Sequence, residues 1–229
     1  LPWCVRKCPY CDFNSHAVPA AGIPRSAYLR ALLDDLGFAA EGLGGREISS
    51  VFFGGGTPSL FSADAIAAVL RRARELLPFA ADAEVTLEAN PGTVEHGAFA
   101  GYRDAGVNRV SLGAQSFDDR HLESLGRIHA HGEIEAAVAE LRAAEVANFN
   151  LDLMYGLPRQ SLEQAVLDVE RAIALAPRHI SHYQLTLEPG TAFEKRPPEL
   201  PDDETAFAML GACQDRLAAA GYRQYAVSA

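Results

Sequence analysis

The 229 residues carry 48% hydrophobic and 22% charged side chains, an ordinary composition for a globular chain long enough to bury a sizeable core. A formal net charge of −10 argues against general nucleic-acid binding, which needs a basic surface. No stretch reaches the roughly eighteen consecutive apolar residues of a membrane-spanning helix.

The densest motif comes first, in Leu1-Pro2-Trp3-Cys4-Val5-Arg6-Lys7-Cys8-Pro9-Tyr10-Cys11-Asp12-Phe13-Asn14-Ser15-His16. Three of the four cysteines are spaced Cys-x3-Cys-x2-Cys in this one loop, with Cys213 far along the chain. Three thiolates can hold three irons of a cubane iron–sulfur cluster and leave the fourth iron open to another ligand. On spacing alone other readings stay open. Cys4, Cys8, Cys11 and His16 make up a Cys3His zinc set. An odd trio cannot pair off fully in disulfides, and ordinary burial gives no reason for the clustering. Clustered free thiols and the lack of a secretory signal lead us to expect a protein of the reducing cytoplasm. The start on Leu1, without an initiator methionine, leads us to expect a further segment upstream.

Past the loop, Tyr28, Leu29, Leu32, Leu33, Leu36 and Ala40 recur at helical spacing and predict a helix over 25–43, between Pro24 and Gly44-Gly45. Residues 48–53 read as a buried strand running into Gly54-Gly55-Gly56-Thr57. Ser62 then caps a helix that continues to about Leu77. The cycle repeats: strand 84–89, turn Asn90-Pro91-Gly92, helix 94–105, strand 109–113. Helical material from Asp118 and a helix over 132–145 follow, then strand 149–154, helix 161–176 and strand 180–187. A Pro-rich loop over 189–201 leads to helix 203–220 and a last strand over 222–227. Such alternation implies a parallel sheet of right-handed βαβ units, either an open doubly wound sheet or a barrel. All 229 residues read as one domain.

Unusual polar residues cluster where strands end: the Gly54–Gly56 run with Thr57, then Glu88, Gln115, Asp152 and Gln184. In a parallel β/α array those ends share one rim, where such folds place their sites. Each residue also has a plain reading. The glycines can serve a sharp turn, the carboxylates can cap helices or form ion pairs, and Arg127 can sit exposed at a helix end. An unpaired carboxylate at an apolar strand end is costly, however. Of the seven histidines, His129, His131, His179 and His182 are candidate haem ligands by chemistry alone. Cys213, beside Met209 and Leu217 on an apolar helix face, reads as a buried thiol.

The cysteine spacing with Tyr10 before the last cysteine resembles the signature of the radical S-adenosylmethionine (radical SAM) superfamily. The longer string from Pro2 to His16 is similar to the oxygen-independent coproporphyrinogen III oxidase-like family, and within it to the haem-chaperone (HemW-type) branch. The oxidases carry a further cysteine where this chain has Phe13. The resemblance covers essentially the whole chain and implies a partial (β/α)6 TIM-like barrel, with the first strand mostly before Leu1 and a C-terminal domain beyond the chain. It implies a 4Fe-4S cluster on Cys4, Cys8 and Cys11, with S-adenosyl-L-methionine bound through the open iron. Tyr10, Gly55, Gly56, Thr57 and Glu88 match cofactor-binding positions, as do Gln115, Arg127, Asp152 and Gln184. It assigns no catalytic side chain.

Two functions follow from the resemblance. One is a haem chaperone that hands haem to an acceptor protein of respiration. The other is a coproporphyrinogen dehydrogenase of porphyrin biosynthesis, acting on a porphyrinogen. Phe13 favours the first.

Overall fold

The computed structural model describes residues 1–92 and 98–227. Two short strands, β1 (Trp3–Cys4) and β2 (His16–Ala17), pair in parallel and tie the two ends of the cysteine loop together. The remaining elements alternate: α1 (Arg25–Glu41), β3 (Ile48–Phe53), α2 (Ala63–Leu76), β4 (Phe79–Ala89), α3 (Ala98–Ala105) and β5 (Arg109–Gln115). Then come α4 (Asp119–Ser124), α5 (His131–Ala143), β6 (Phe149–Tyr155), α6 (Leu162–Ala174), β7 (His179–Gln184), α7 (Ala192–Lys195) and α8 (Asp203–Ala219).

Local chemistry explains several helix starts. Ser62 Oγ accepts from Ala65 N at 3.3 Å at the head of α2. Ser161 and Gln164 form a reciprocal capping box on α6, and Asp202 caps α8 through Thr205 N at 2.8 Å. Thr191 does the same for α7, a four-residue helix inside the Pro-rich loop that residue periodicity is too short to reveal.

All five long strands run parallel in the order β3-β4-β5-β6-β7, each beside its neighbour in sequence. A doubly wound sheet reverses its strand order at a switch point; this one does not, and curls as a partial β/α barrel of the expected kind. Residue alternation divides its two faces. Val85, Leu87, Val110, Leu112, Phe149, Leu151 and Leu153 are buried in the main core with the helices. Thr86, Glu88, Ser111, Asn150, Asp152 and Ser181 occupy the intervening positions. Four of these, Glu88, Ser111, Asp152 and Ser181, line the cavity described below. The register keeps this polar row in phase, with Glu88 opposite Ser111 and Asp152 opposite Ser181.

The expected strand over 222–227 does not form. Its apolar residues find partners at the start of β7 instead of along an edge: Tyr222 donates to Pro177 O at 2.7 Å, and Tyr225 Oη lies 2.7 Å from His179 Nε2. β4 starts earlier than expected, at Phe79, because Phe79 pairs with Ile48 across an irregularity in the ladder. β7 ends at Gln184 rather than 187. Of the helix expected over 94–105, residues 94–97 lie outside the described residues. Among the described residues no helix is long and apolar enough to cross a membrane.

Candidate cofactor site

At the C-terminal ends of the strands lies a cavity of about 580 Å³. The twelve candidate cluster-ligating and cofactor-binding residues all line it: Cys4, Cys8, Cys11, Tyr10, Gly55, Gly56, Thr57, Glu88, Gln115, Arg127, Asp152 and Gln184. The three thiols are free and half-buried. Among the described residues no three His, Cys, Asp or Glu side chains converge tightly enough to hold a single metal ion. His16 takes no part in the cavity wall; it is exposed and its Nε2 lies 3.1 Å from Asn14 Oδ1.

The glycine run is needed first for packing. Leu1 O accepts from Gly56 N at 2.9 Å and Trp3 O from Thr57 N at 2.7 Å, so the segment before Cys4 lies flat on the turn. A Cβ on Gly56 would stand 2.6 Å from Trp3 O, and Gly55 adopts φ +124°. Only glycine permits both the approach and that dihedral. The turn thereby fixes where Cys4 enters the cavity. Two of its amides are used up in doing so.

Glu88 follows at the end of β4, where its Oε2 accepts from Gly55 N at 3.3 Å. Burial, with Asp152 across the cavity, pushes its carboxyl up to about 7. Asp152 is raised from the usual carboxylate range by burial too, against hydrogen bonds from Asn150, Ser181 and Ser111. Asn150 Nδ2 reaches Asp152 Oδ1 at 2.7 Å and Ser111 Oγ at 2.7 Å, while Asn150 Oδ1 accepts from Ser181 Oγ at 3.2 Å. Ser111, Asn150, Asp152 and Ser181 are therefore a connected network rather than a set of isolated groups, as burial requires.

Gln115 is aimed inward by a bulge. The β5–β6 register slips between Gly113 and Gln115, and Gln115 takes φ 68°, a conformation unusual outside glycine. Its Oε1 accepts from Tyr183 Oη at 2.7 Å.

Arg127 is not a surface residue. Its Nη2 donates to Gly113 O at 2.8 Å and to Asn90 Oδ1, and its Nη1 lies 3.8 Å from Cys8 Sγ. Asn90 also donates to Thr57 Oγ1 at 3.0 Å, joining the glycine turn to the arginine. Sequence reasoning read Asn90 only as a turn residue and passed over Tyr183 beside Gln184. Asn90 follows directly on the strand that carries Glu88, which was the available signal.

None of the four candidate haem-ligand histidines lines the cavity. His129 is buried with Nε2 3.3 Å from Ala114 O, and burial drives its pKa down to about 4. His182 stacks on Tyr155 at 4.7 Å and is likewise depressed to about 4 by burial. His179 bonds Asn150, and His131 lies against Asp119 at 2.9 Å. Cys213 is fully buried as expected, and burial pushes its thiol up to about 12.

A profile described as the Radical SAM superfamily matches residues 1–172. The chain is 51% identical over its full length to "Heme chaperone HemW" of Escherichia coli (strain K12), of which it spans 60%, and 49% identical to the protein so named in Haemophilus influenzae, of which it spans 61%. A bovine relative, "Radical S-adenosyl methionine domain-containing protein 1, mitochondrial", is 38% identical over 99% of the chain and 52% of its own length. Among solved structures, coproporphyrinogen III oxidase (HemN) of Escherichia coli, described as a radical SAM enzyme, superposes with a TM-score of 0.88 at 27% identity, covering 97% of this chain and 52% of that one. The chain thus spans about 60% of the length of the HemW relatives it matches.

Proposed function

The chain belongs to the radical SAM superfamily, and we propose that its cavity holds a 4Fe-4S cluster with S-adenosyl-L-methionine, in a protein that carries haem. The observation that carries this reading is the sharing of one cavity by three free thiols, a glycine turn and Glu88. The donor set fits the cluster. Soft thiolates suit iron–sulfur chemistry, and a cubane takes one thiolate per iron, so its ligands need not converge on one point as a zinc set must. When bound, such a cluster supplies a single electron for reductive cleavage of the sulfonium.

The residues around it bind and orient. Cys4, Cys8 and Cys11 hold three irons. Arg127, half-buried beside Cys8, offsets part of the negative charge gathered there. Glu88 faces the turn where a methionyl ammonium would lie, and that ammonium would favour the ionised carboxylate. Thr57 is fixed by Asn90. Gln115, Asp152 and Gln184, on the wall formed by β5 to β7, offer hydrogen bonds to ribose hydroxyls or to a second small ligand. Tyr10 and Tyr183 close the apolar side and keep water from the reacting atoms.

For the cargo, the names of the similar chaperones, and Phe13 at the position where the oxidases carry a further cysteine, favour haem over a porphyrinogen. Delivery to an acceptor protein of respiration and residence in the cytoplasm belong to the same reading. The fold match to HemN favours the oxidase as the alternative. One incubation separates them: the protein is reconstituted anaerobically, then given reductant, S-adenosylmethionine and coproporphyrinogen III. Mass spectrometry is expected to find no loss of carbon dioxide while a haem titration saturates. A decarboxylated product overturns the chaperone reading.

A further inference from the structure

The cysteine loop has a cation at its centre that the family signature does not require. Lys7 lies between the first two cysteines, and its Nζ donates to Phe13 O at 2.7 Å, Ser15 O at 3.1 Å and Ser15 Oγ at 3.3 Å. Ser15 is 3% exposed, and its Oγ lies 3.9 Å from Cys11 Sγ.

The direction of that last contact follows from proton accounting. An ammonium only donates, so Lys7 occupies an acceptor position on the Ser15 hydroxyl and leaves its proton to point elsewhere. A thiolate can only accept. The chain of bonds therefore runs from Lys7 to Ser15 to Cys11, and each donor polarises the next. Cys8 receives Arg127 at 3.8 Å, whereas among the described residues Cys4 has no comparable donor.

We propose that Lys7 and Ser15 act as a positioning pair that delivers a hydrogen bond to the Cys11 thiolate and thereby raises the reduction potential of the cluster. This rests on the cluster assignment above. A reduced cluster carries one more negative charge than the oxidised one, so a donor aimed at a ligating sulfur stabilises the reduced state more. Lys7 does double duty: its two carbonyl contacts hold the 13–15 backbone, and its contact to the hydroxyl aligns the proton.

The test is a redox titration of the reconstituted protein without S-adenosylmethionine, with iron and sulfide measured in each sample. Ser15→Ala is expected to keep the cluster and to lower the ratio of reduced to oxidised cluster at fixed poise by about tenfold, which is 59 mV for one electron. Lys7→Met is expected to lower it in the same direction, and Lys7→Arg to restore it. An unchanged potential in a fully loaded Ser15→Ala protein overturns the proposal. So does an unchanged potential in a fully loaded Lys7→Met protein, since the pair would then be loop scaffold alone. A wild-type protein that takes up no iron and sulfide refutes the cluster itself, and is recognised before any variant is compared.

Discussion

Replacing Gly56 by alanine should injure both the fold and the site, because the structure leaves no room for one methyl group. Its Cβ would stand 2.6 Å from Trp3 O, 2.7 Å from Trp3 C and 2.9 Å from Pro2 C, all backbone atoms that cannot rotate away. Ordinary carbon contacts lie at about 3.5–4.0 Å, so the segment must retreat by about 1 Å. If it stays, overpacking costs about 1–3 kcal/mol. If it lifts off, the bonds from Gly56 N and Thr57 N are lost, at about 1 kcal/mol each. Either route costs about 2 kcal/mol, which for a chain of this size lowers Tm by about 4–8 °C. Thermal melting reads the stability, and iron and sulfide content after reconstitution reads the displacement of Cys4. Gly211→Ala is the control. It sits in α8 with nothing within 4 Å of its Cβ, and should gain about 0.5–1 kcal/mol. A Gly56→Ala protein that melts with wild type and loads fully would refute the packing argument.

Cys8→Ala should abolish the brown absorbance of the reconstituted protein while circular dichroism stays that of the α/β fold; retention of a full cluster would show that the ligands lie elsewhere. Glu88, held near pKa 7 by burial instead of at its ordinary 4.5, keeps its proton longer in the folded state than in the unfolded. Its contribution to stability is therefore lost as pH rises from about 4.5 to 7, and urea titrations should show that fall flattened in Glu88→Gln. Over the same range the affinity for S-adenosylmethionine should rise as the carboxylate forms, and Glu88→Gln should remove the dependence; a flat wild-type profile contradicts the assignment. Asp168, away from the cavity, accepts from Ser116 Oγ at 2.7 Å and Phe117 N at 2.6 Å. Asp168→Asn leaves one donor poorly matched and should cost about 1–3 kcal/mol in urea with ligand affinity unchanged; a loss under about 0.5 kcal/mol would make those bonds incidental.

The site was largely legible in the sequence because parallel β/α architecture converts strand-end position into spatial proximity. Glu88, Gln115 and Gln184 are far apart in the chain, yet line one cavity because they end or nearly end parallel strands; Asp152, expected near a strand end, is instead the middle residue of β6 and reaches the cavity from the inward face of the sheet. What escaped was contact chemistry within that frame. Asn90 joins Thr57 to Arg127 through its side chain, and Asn-Pro-Gly reads only as a turn. The β5 bulge that directs Gln115 inward leaves no mark in residue alternation. Residues 222–227 carry strand-like apolar residues, but a strand exists only with a partner, and here Tyr222 and Tyr225 are held by Pro177 and His179. Periodicity sees side chains; it does not see which edge is within reach.

The most direct test of the central claim is electron paramagnetic resonance of the anaerobically reconstituted, reduced protein before and after S-adenosylmethionine. The account predicts a 4Fe-4S signal that changes shape on addition, because the ligand takes the iron that Cys4, Cys8 and Cys11 leave open. A cluster signal unmoved by saturating S-adenosylmethionine, or bound zinc in place of iron, would contradict it.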